Sequence, residues 1–406
     1  MLHQLRLQGF KSFIDEAIQF DRMTLLVGAN AAGKSNVLDA IRLLQGLAMD
    51  MTIGDVLRGR WEGGRQTWPG IRGGAADVQH RDADEVMLRT EWRTESSERV
   101  THEIGFEAAN HSMLSREKLV WAGKGQYLYD TNAPALRDRA GRDGANIRVA
   151  LKRTGKGNSP TQAHTANRSL LQQVVVNAPV SPLVPAGVDV VLQGLRRAYF
   201  YDVTPARMRE YVPQNMSDLG LEGENVSALT WTLCQDEEEK ADLVDWLTEL
   251  CAPELEDIQF AETELGDVML VLVERNGRRI PARSLSDGTL RFLGQLIALR
   301  TAEPGSLLLM EEIENGLHPT RAHLLVEAMQ AAAEARRVQV VATTHSPLVL
   351  NALSPDALQR AVLVARPPGS DGSLLRRLSE LDNFREVERR TGIDRMVSSG
   401  WLERAV

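Results

Sequence analysis

Cysteine is scarce: the 406-residue chain holds two, Cys234 and Cys251. They are too far apart for a C-x-x-C pair and have no histidine cluster nearby, so neither a disulfide framework nor a structural zinc site is expected, and a reducing cytoplasm fits. Long apolar runs are missing as well. No stretch approaches 18 consecutive apolar residues, so no membrane span and no membrane partner is expected. The opening MLHQLRLQGFKSF lacks an apolar leader core and a small-residue cleavage site, so export is not expected. Nor is there an excess of positive charge. The formal net charge is −8, which withholds support from a surface that grips nucleic acid throughout, because phosphate neutralisation dominates such binding. Internal repeats and long heptad runs are absent, against a solenoid or an extended coiled coil. What remains, 43% hydrophobic and 25% charged residues, is the composition of an ordinary globular α/β protein.

The pattern of apolar residues sets out the elements. Leu5, Leu7 and Phe10, then Ile18 and Phe20, predict two short strands joined by a turn around Asp15. MTLLVG reads as a buried parallel strand, followed by a glycine turn and a helix from about Lys34 to Leu47. Alternation from Val86 to Tyr129 predicts an antiparallel meander. Residues 131–167, rich in Gly, Arg, Asn, Asp and Pro, read as a long loop or partly disordered insertion. A helix feeding a strand follows at VDVVLQGLRRAYFYDV, then two helices at NVSALTWTL and EEEKADLVDWLTEL. DIQFAETELGDVMLVLVERNGRRIPA predicts a pair of strands with turns at Gly266 and at Asn276-Gly277. A helix from Asp287 to about Thr301, the strand SLLLM, a helix from about Thr320 to Arg337, the strand VQVVATT and a small α/β tail complete the chain.

Four motifs carry chemistry. Gly28-Ala-Asn-Ala-Ala-Gly33-Lys34-Ser35 satisfies G-x-x-x-x-G-K-[ST] and lies between an apolar strand and an amphipathic helix, as a P-loop requires. Its glycines let backbone N–H groups form an anion nest at a helix N-terminus, with Lys34 in reach of the β and γ phosphates and the Ser35 hydroxyl in reach of Mg²⁺. SLLLMEEIENGLHP delivers Glu311 and Glu312 at a strand end. Glu311, one methylene longer than Asp, is expected on the metal side, directly or through water, and Glu312 as the general base for the attacking water. VVATTHSP places His345 after a third apolar strand, within reach of a γ-phosphate or the water. Ser284-Leu-Ser-Asp-Gly-Thr289 opens an apolar helix with Ser286 as N-cap and Gly288 for close approach, a phosphate-binding kind of helix end.

In this order the P-loop, the S-x-D-G helix, the double-acid strand and the THS turn resemble the ABC ATPase superfamily. More narrowly they resemble its RecF/SMC/OLD-like branch and, within that, the standalone bacterial AAA-family ATPases of phage-defence loci. The matching stretches are LRLQGFKSF, GKSN (Gly33 to Asn36), IRGGAADV (Ile71 to Val78), YFYDVTPARMR, LGLEGENVSALTWTL, LSDGTLRFLGQLIAL and EEIENGLHP. The resemblance implies an ABC-type head: a largely parallel P-loop sheet, an antiparallel β subdomain and a helical signature lobe. It divides the chain at 1–130, 131–185, 186–280 and 281–406. It implies ATP and Mg²⁺ as ligands, with Asn30, Gly33, Lys34, Ser35 and Asn36 on the nucleotide, Ser35 and Glu311 on the metal, and Glu312, His345 and Lys34 in catalysis. Ser286 and Gly288 of one subunit would meet the γ-phosphate held by the other, so that a homodimer sandwiches two nucleotides, with higher oligomers open. Glu314 to His318 would take the D-loop position, and Gln79 would line the junction between core and lobe.

The implied role is a regulatory ATPase controlling a separately encoded effector in defence against phage or foreign DNA. A RecF-like clamp on DNA is the alternative, for which Arg137–Arg142, Arg148–Lys156 and Arg376–Arg377 offer cations. A transporter subunit is disfavoured by the long interval between Lys34 and Ser286. About sixty residues follow His345, too few for a Toprim nuclease, and Asp371, Glu380 and Asp382 read as solvated, so no intrinsic nuclease is expected.

Overall fold

The computed structural model describes residues 1–406 apart from 109–111, 140–141, 176, 252–253, 317–320 and 368. The architecture is the mixed α/β one expected. Its centre is a six-stranded sheet in the order Ala198–Tyr201, Leu307–Met310, Gln339–Thr344, Met23–Val27, Val362–Ala365, Leu374–Arg377. The first five strands run parallel and the last is antiparallel. All four residues of Leu307–Met310 and all six of Gln339–Thr344 are buried, which explains why they read as unbroken apolar runs rather than alternating ones. The register sets Thr344 beside Val27 and Met310 beside Ala342, so the chain leaves three neighbouring strands at the same carboxyl edge.

The helix Lys34–Ala48 packs against this sheet with twelve buried residues. Being buried nearly all round, it lies between layers rather than on a surface. On its other side an antiparallel sheet of nine strands runs from Phe13–Gln19 through Leu2–Phe10, Val86–Arg93, Arg99–Glu107 and Met113–Trp121 to Tyr129–Asp130 and Asn146–Leu151. The helix Leu183–Arg196 covers it, close enough at Gly194 that a Cβ there would lie 2.2 Å from Trp92. Gln339 joins the two sheets: its Nε2 donates to the carbonyls of Leu2 (2.7 Å) and Asp21 (3.0 Å), and its Oε1 accepts from the Leu2 amide at 3.1 Å. The helices Val226–Leu233, Glu237–Cys251 and Asp287–Thr301 share a second core with the sheet of Leu255–Glu262, Asp267–Glu274, Arg279–Pro281 and Val212–Pro213.

Three expectations need correction. The first turn falls at Lys11-Ser12, and Asp15 lies inside the second strand, paired with Gln8. Residues 131–167 are not a structureless loop, since Asn146–Leu151 and Thr161–Thr165 pair as strands and extend the large sheet. Their polar composition hid them because an edge hairpin needs only one buried row, here Ile147, Val149 and Leu151. The expected pair of strands after residue 255 gains a third, Arg279–Pro281. Val362–Ala365, a strand that the sequence pattern did not mark out, lies directly beside the P-loop strand.

Candidate nucleotide site

Glycine at position 28 is dictated by its neighbour: a Cβ there would lie 2.1 Å from the carbonyl oxygen of Val364. At Gly33, φ is 113° and an added Cβ would crowd Ser12 Oγ at 2.8 Å. The loop between them therefore follows one path, with Ala31 at φ 63° and Asn30 exposed. Gly33 caps the following helix without a side-chain acceptor, which leaves the cap to a ligand. Lys34 curls back, its Nζ donating to the carbonyls of Gly28 (2.7 Å) and Ala29 (2.9 Å). Burial pulls its pKa below the usual lysine value, while Glu312 and Glu314 act in the opposite direction. Asn36 Nδ2 donates to Ser12 Oγ at 2.9 Å.

The acidic strand arrives beside this loop. Ser35 Oγ donates to Glu311 Oε2 at 3.0 Å, bringing together residues 276 positions apart. Two hard oxygens at that separation suit adjacent ligands of an octahedral Mg²⁺, whose bonds are about 2.1 Å long, so the residues present fit the expected ion. Glu312 has φ 44°, a left-handed conformation uncommon outside glycine, and its amide donates to Thr343 Oγ1 at 2.9 Å. Its Oε2 accepts from Asn315 Nδ2. His345 lies at the next strand end, with its backbone N–H 2.7 Å and its Nδ1 2.9 Å from Glu314 Oε1. The described part of the expected D-loop, Glu314 to Gly316, thus holds His345. Leu317 and His318 lie outside the described residues.

Ser286 caps the signature helix, its Oγ accepting from the Thr289 amide at 3.1 Å. Gly288 meets the carbonyl of Gly316 so closely that a Cβ would lie 2.3 Å from it. Arg209 shapes the approach, donating to the carbonyls of Arg283 (2.8 Å) and Leu285 (2.9 Å) and to Asp287 Oδ1 (2.6 Å). The structure thus brings Gly33, Lys34, Ser35, Glu311, Glu312 and His345 to one sheet edge. Among the described residues, no hydrogen bond joins Ser286 to the P-loop of its own chain. Gln79 turns out to be a strut, its Nε2 donating to Ala83 O at 2.5 Å and its Oε1 accepting from the Ala108 amide at 3.3 Å. A cavity of about 440 Å³ opens beside the P-loop, lined among others by Lys11, Ser12, Asn36, Arg72, Arg81 and Arg366.

Sequence reasoning missed four contributors. Arg72, Asp39 and Lys11 form a charged chain behind Ser35 and Glu311, and Glu314 orients His345. Asp39 carried a signal: a carboxylate four residues after Ser35, set between the apolar residues Leu38 and Ala40, needs a partner where it is buried.

The comparisons with known proteins bear on the same segments. A family described as an AAA domain, putative AbiEii toxin of a type IV TA system, matches residues 217–351. A family described as an AAA ATPase domain matches residues 1–69. No curated protein matches the chain. Among solved structures, the chain is similar to an SMC head domain from Thermotoga maritima at 14% identity and TM-score 0.43, over 93% of this chain and 98% of that one. It is similar to an Smc head bound to the C-winged helix domain of ScpA at 12% identity and TM-score 0.49, over 92% and 96%. A Pyrococcus furiosus Smc head with an extended coiled coil gives 11% identity and TM-score 0.46, over 96% and 99%. The two family matches contain every expected site residue, from Asn30 to Asn36 in the first and from Ser286 to His345 in the second. Two AAA-domain family models thus match separate segments of the chain, and the motifs in those segments lie at the carboxyl edge of a largely parallel sheet.

Proposed function

We propose that the chain binds and hydrolyses ATP as a head-to-tail homodimer, and that the nucleotide-driven assembly controls a separately encoded effector in defence against phage or foreign DNA. The observation that carries the catalytic part is the Ser35–Glu311 hydrogen bond at 3.0 Å, with Glu312 and His345 on the adjoining turns. Loop amides and Lys34 hold the phosphates, and Ser35 and Glu311 would hold a divalent cation, which would supply charge neutralisation. Glu312 takes a proton from a water whose oxygen attacks the γ-phosphorus, and the bond to the bridging oxygen breaks with its electrons on ADP. Glu314 keeps Nδ1 of His345 engaged, so the far side of the imidazole serves the γ-phosphate.

Ser286 and Gly288 complete the partner's site. Support for this comes from Asp287, 74% exposed at the start of the signature helix, and from the contacts of that turn with Gly316 rather than with its own P-loop. The effector role draws on the toxin–antitoxin wording of the matched family. A clamp on DNA is the second reading. It is favoured by Lys152 and Arg153, whose described hydrogen bonds go to the backbone of Lys124 and Lys156. Among the described residues, no helix is long and apolar enough to cross a membrane.

Complementation tests the head-to-tail arrangement. Lys34→Ala and Ser286→Arg proteins are each expected to be inactive, while an equimolar mixture regains about a quarter of wild-type turnover, because half the dimers carry one intact composite site. A mixture as inactive as its components contradicts the arrangement.

A further inference from the structure

Glu311 is reached from behind by a guanidinium that the hydrolytic scheme does not use. Arg72 lays its fork on the carboxylate, Nη1 donating to Oε2 at 3.0 Å and Nη2 to Oε1 at 2.9 Å. The same Nη2 donates to the carbonyl of Ser35 at 3.2 Å and to Asp39 Oδ1 at 3.2 Å, and Nε is 3.3 Å from both Asp39 oxygens. Asp39 is 1% exposed and lies one helical turn after Ser35, on the same face of the P-loop helix. It also holds Lys11, whose Nζ is 2.5 Å from Asp39 Oδ2 and donates to the Arg72 carbonyl at 2.8 Å. The backbone carrying Arg72 is fixed as well. Gly70 and Gly73 both have φ 76°, and a Cβ on Gly70 would lie 2.8 Å from the Gly59 amide. Arg72 is therefore set in place before any ligand arrives, with its proton held more firmly than usual: burial opposes this, but Glu311 and Asp39 outweigh it.

A glutamate has one more rotatable bond than an aspartate, and a carboxylate free at the end of such a chain points in several directions. A bidentate guanidinium removes that freedom, since planar fork meets planar carboxylate in one orientation. We infer that Arg72 is a positioning residue for the metal end of the site: anchored by Asp39 and Lys11 to the P-loop helix, it holds the Glu311 carboxylate with Oε2 toward Ser35, which makes the longer acid serviceable there. Arg72 touches neither nucleotide nor metal in this role. It acts through Glu311, and the inference rests on the nucleotide-site reading above.

The test is Mn²⁺ binding to the full chain, followed by electron paramagnetic resonance with a non-hydrolysable ATP analogue present. Wild type, Arg72→Lys, Arg72→Ala, Glu311→Asp and the Arg72→Ala/Glu311→Asp double variant are compared. Loss of such outer partners costs about 10- to 100-fold in metal affinity, so Mn²⁺ should bind at least tenfold more weakly in both Arg72 variants. Analogue affinity without metal should stay within about twofold, because Arg72 does not contact the phosphates. The double variant should match Glu311→Asp, since the shorter carboxylate stands back from the fork. Arg72→Lys keeps the charge and carries the test if Arg72→Ala does not fold. Wild-type Mn²⁺ affinity in the Arg72 variants, tighter binding, or an equal loss in the Glu311→Asp background each overturns the inference. If wild type itself binds no Mn²⁺ with the analogue, the nucleotide-site reading fails first.

Discussion

At Glu312 the chain adopts φ 44°, which costs a non-glycine residue on the order of 1 kcal/mol and persists only where neighbours hold it. Thr343 Oγ1 and Asn315 do so here, and the two acids take different partners, Glu311 meeting Ser35 while the Glu312 carboxylate meets Asn315. Two adjacent glutamates thereby acquire different tasks. Glu314 has a third one, and Glu314→Gln is expected to lower turnover about tenfold by loosening His345, with ATP affinity unchanged in equilibrium binding. An unchanged rate would remove Glu314 from the account. Cys234 serves no such purpose. Burial pushes its thiol up to about 12, with Asp257 and Glu237 adding to the effect and Lys240 opposing it. In a Cys251→Ser variant at pH 8, alkylation of Cys234 should be at least about a hundredfold slower than that of a free peptide thiol and should recover in urea, because only the thiolate reacts. The Walker residues were legible in the sequence because each stands next to an apolar strand. Arg72 and Lys11 were not, since a surface-type residue bonded to a buried acid looks the same in sequence as one in water.

The elements show how a glycine and a carboxylate can each fix a junction. Gly288 lets the signature helix touch Gly316, which ties the helix start to the turn that follows Glu312. On the opposite side of the molecule Glu117 is fully buried in the strand Met113–Trp121. It accepts from His102 Nε2, Tyr129 OH and Ser169 Oγ, each at 2.8 Å, and from the Leu170 amide at 2.7 Å. This hub binds the sheet to the segment that leads into the helix Leu183–Arg196. Glu117→Ala would strand four donors in the interior and should destabilise the protein by about 3 kcal/mol in urea unfolding, whereas Glu117→Gln should cost less. The strand was legible from the alternation of KLVWAG, a stretch that begins one residue after Glu117, so the buried acid fell outside it. The edge hairpin of Asn146–Leu151 and Thr161–Thr165 was read as a loop, because its second strand buries no residue fully and glycines crowd its ends. Periodicity found the elements that bury a whole face and missed those that bury a single row.

For the molecule as a whole, two sheets share one P-loop helix, so anything that moves the nucleotide end of that helix presses on both layers. Phosphoryl transfer depends on positioning and charge neutralisation more than on covalent chemistry, and among the described residues no hydrogen bond joins Ser286 to its own P-loop. In the proposed head-to-tail arrangement the site would be completed by a second copy, which would make ATP both substrate and clasp. The most direct test is ATP turnover measured alongside light-scattering mass for wild type and Glu312→Gln. The account predicts turnover by wild type, and at least a hundredfold loss in the variant together with a doubling of its mass when ATP is added. Equal turnover in the two proteins, or a mass that ATP leaves unchanged in both, would contradict it.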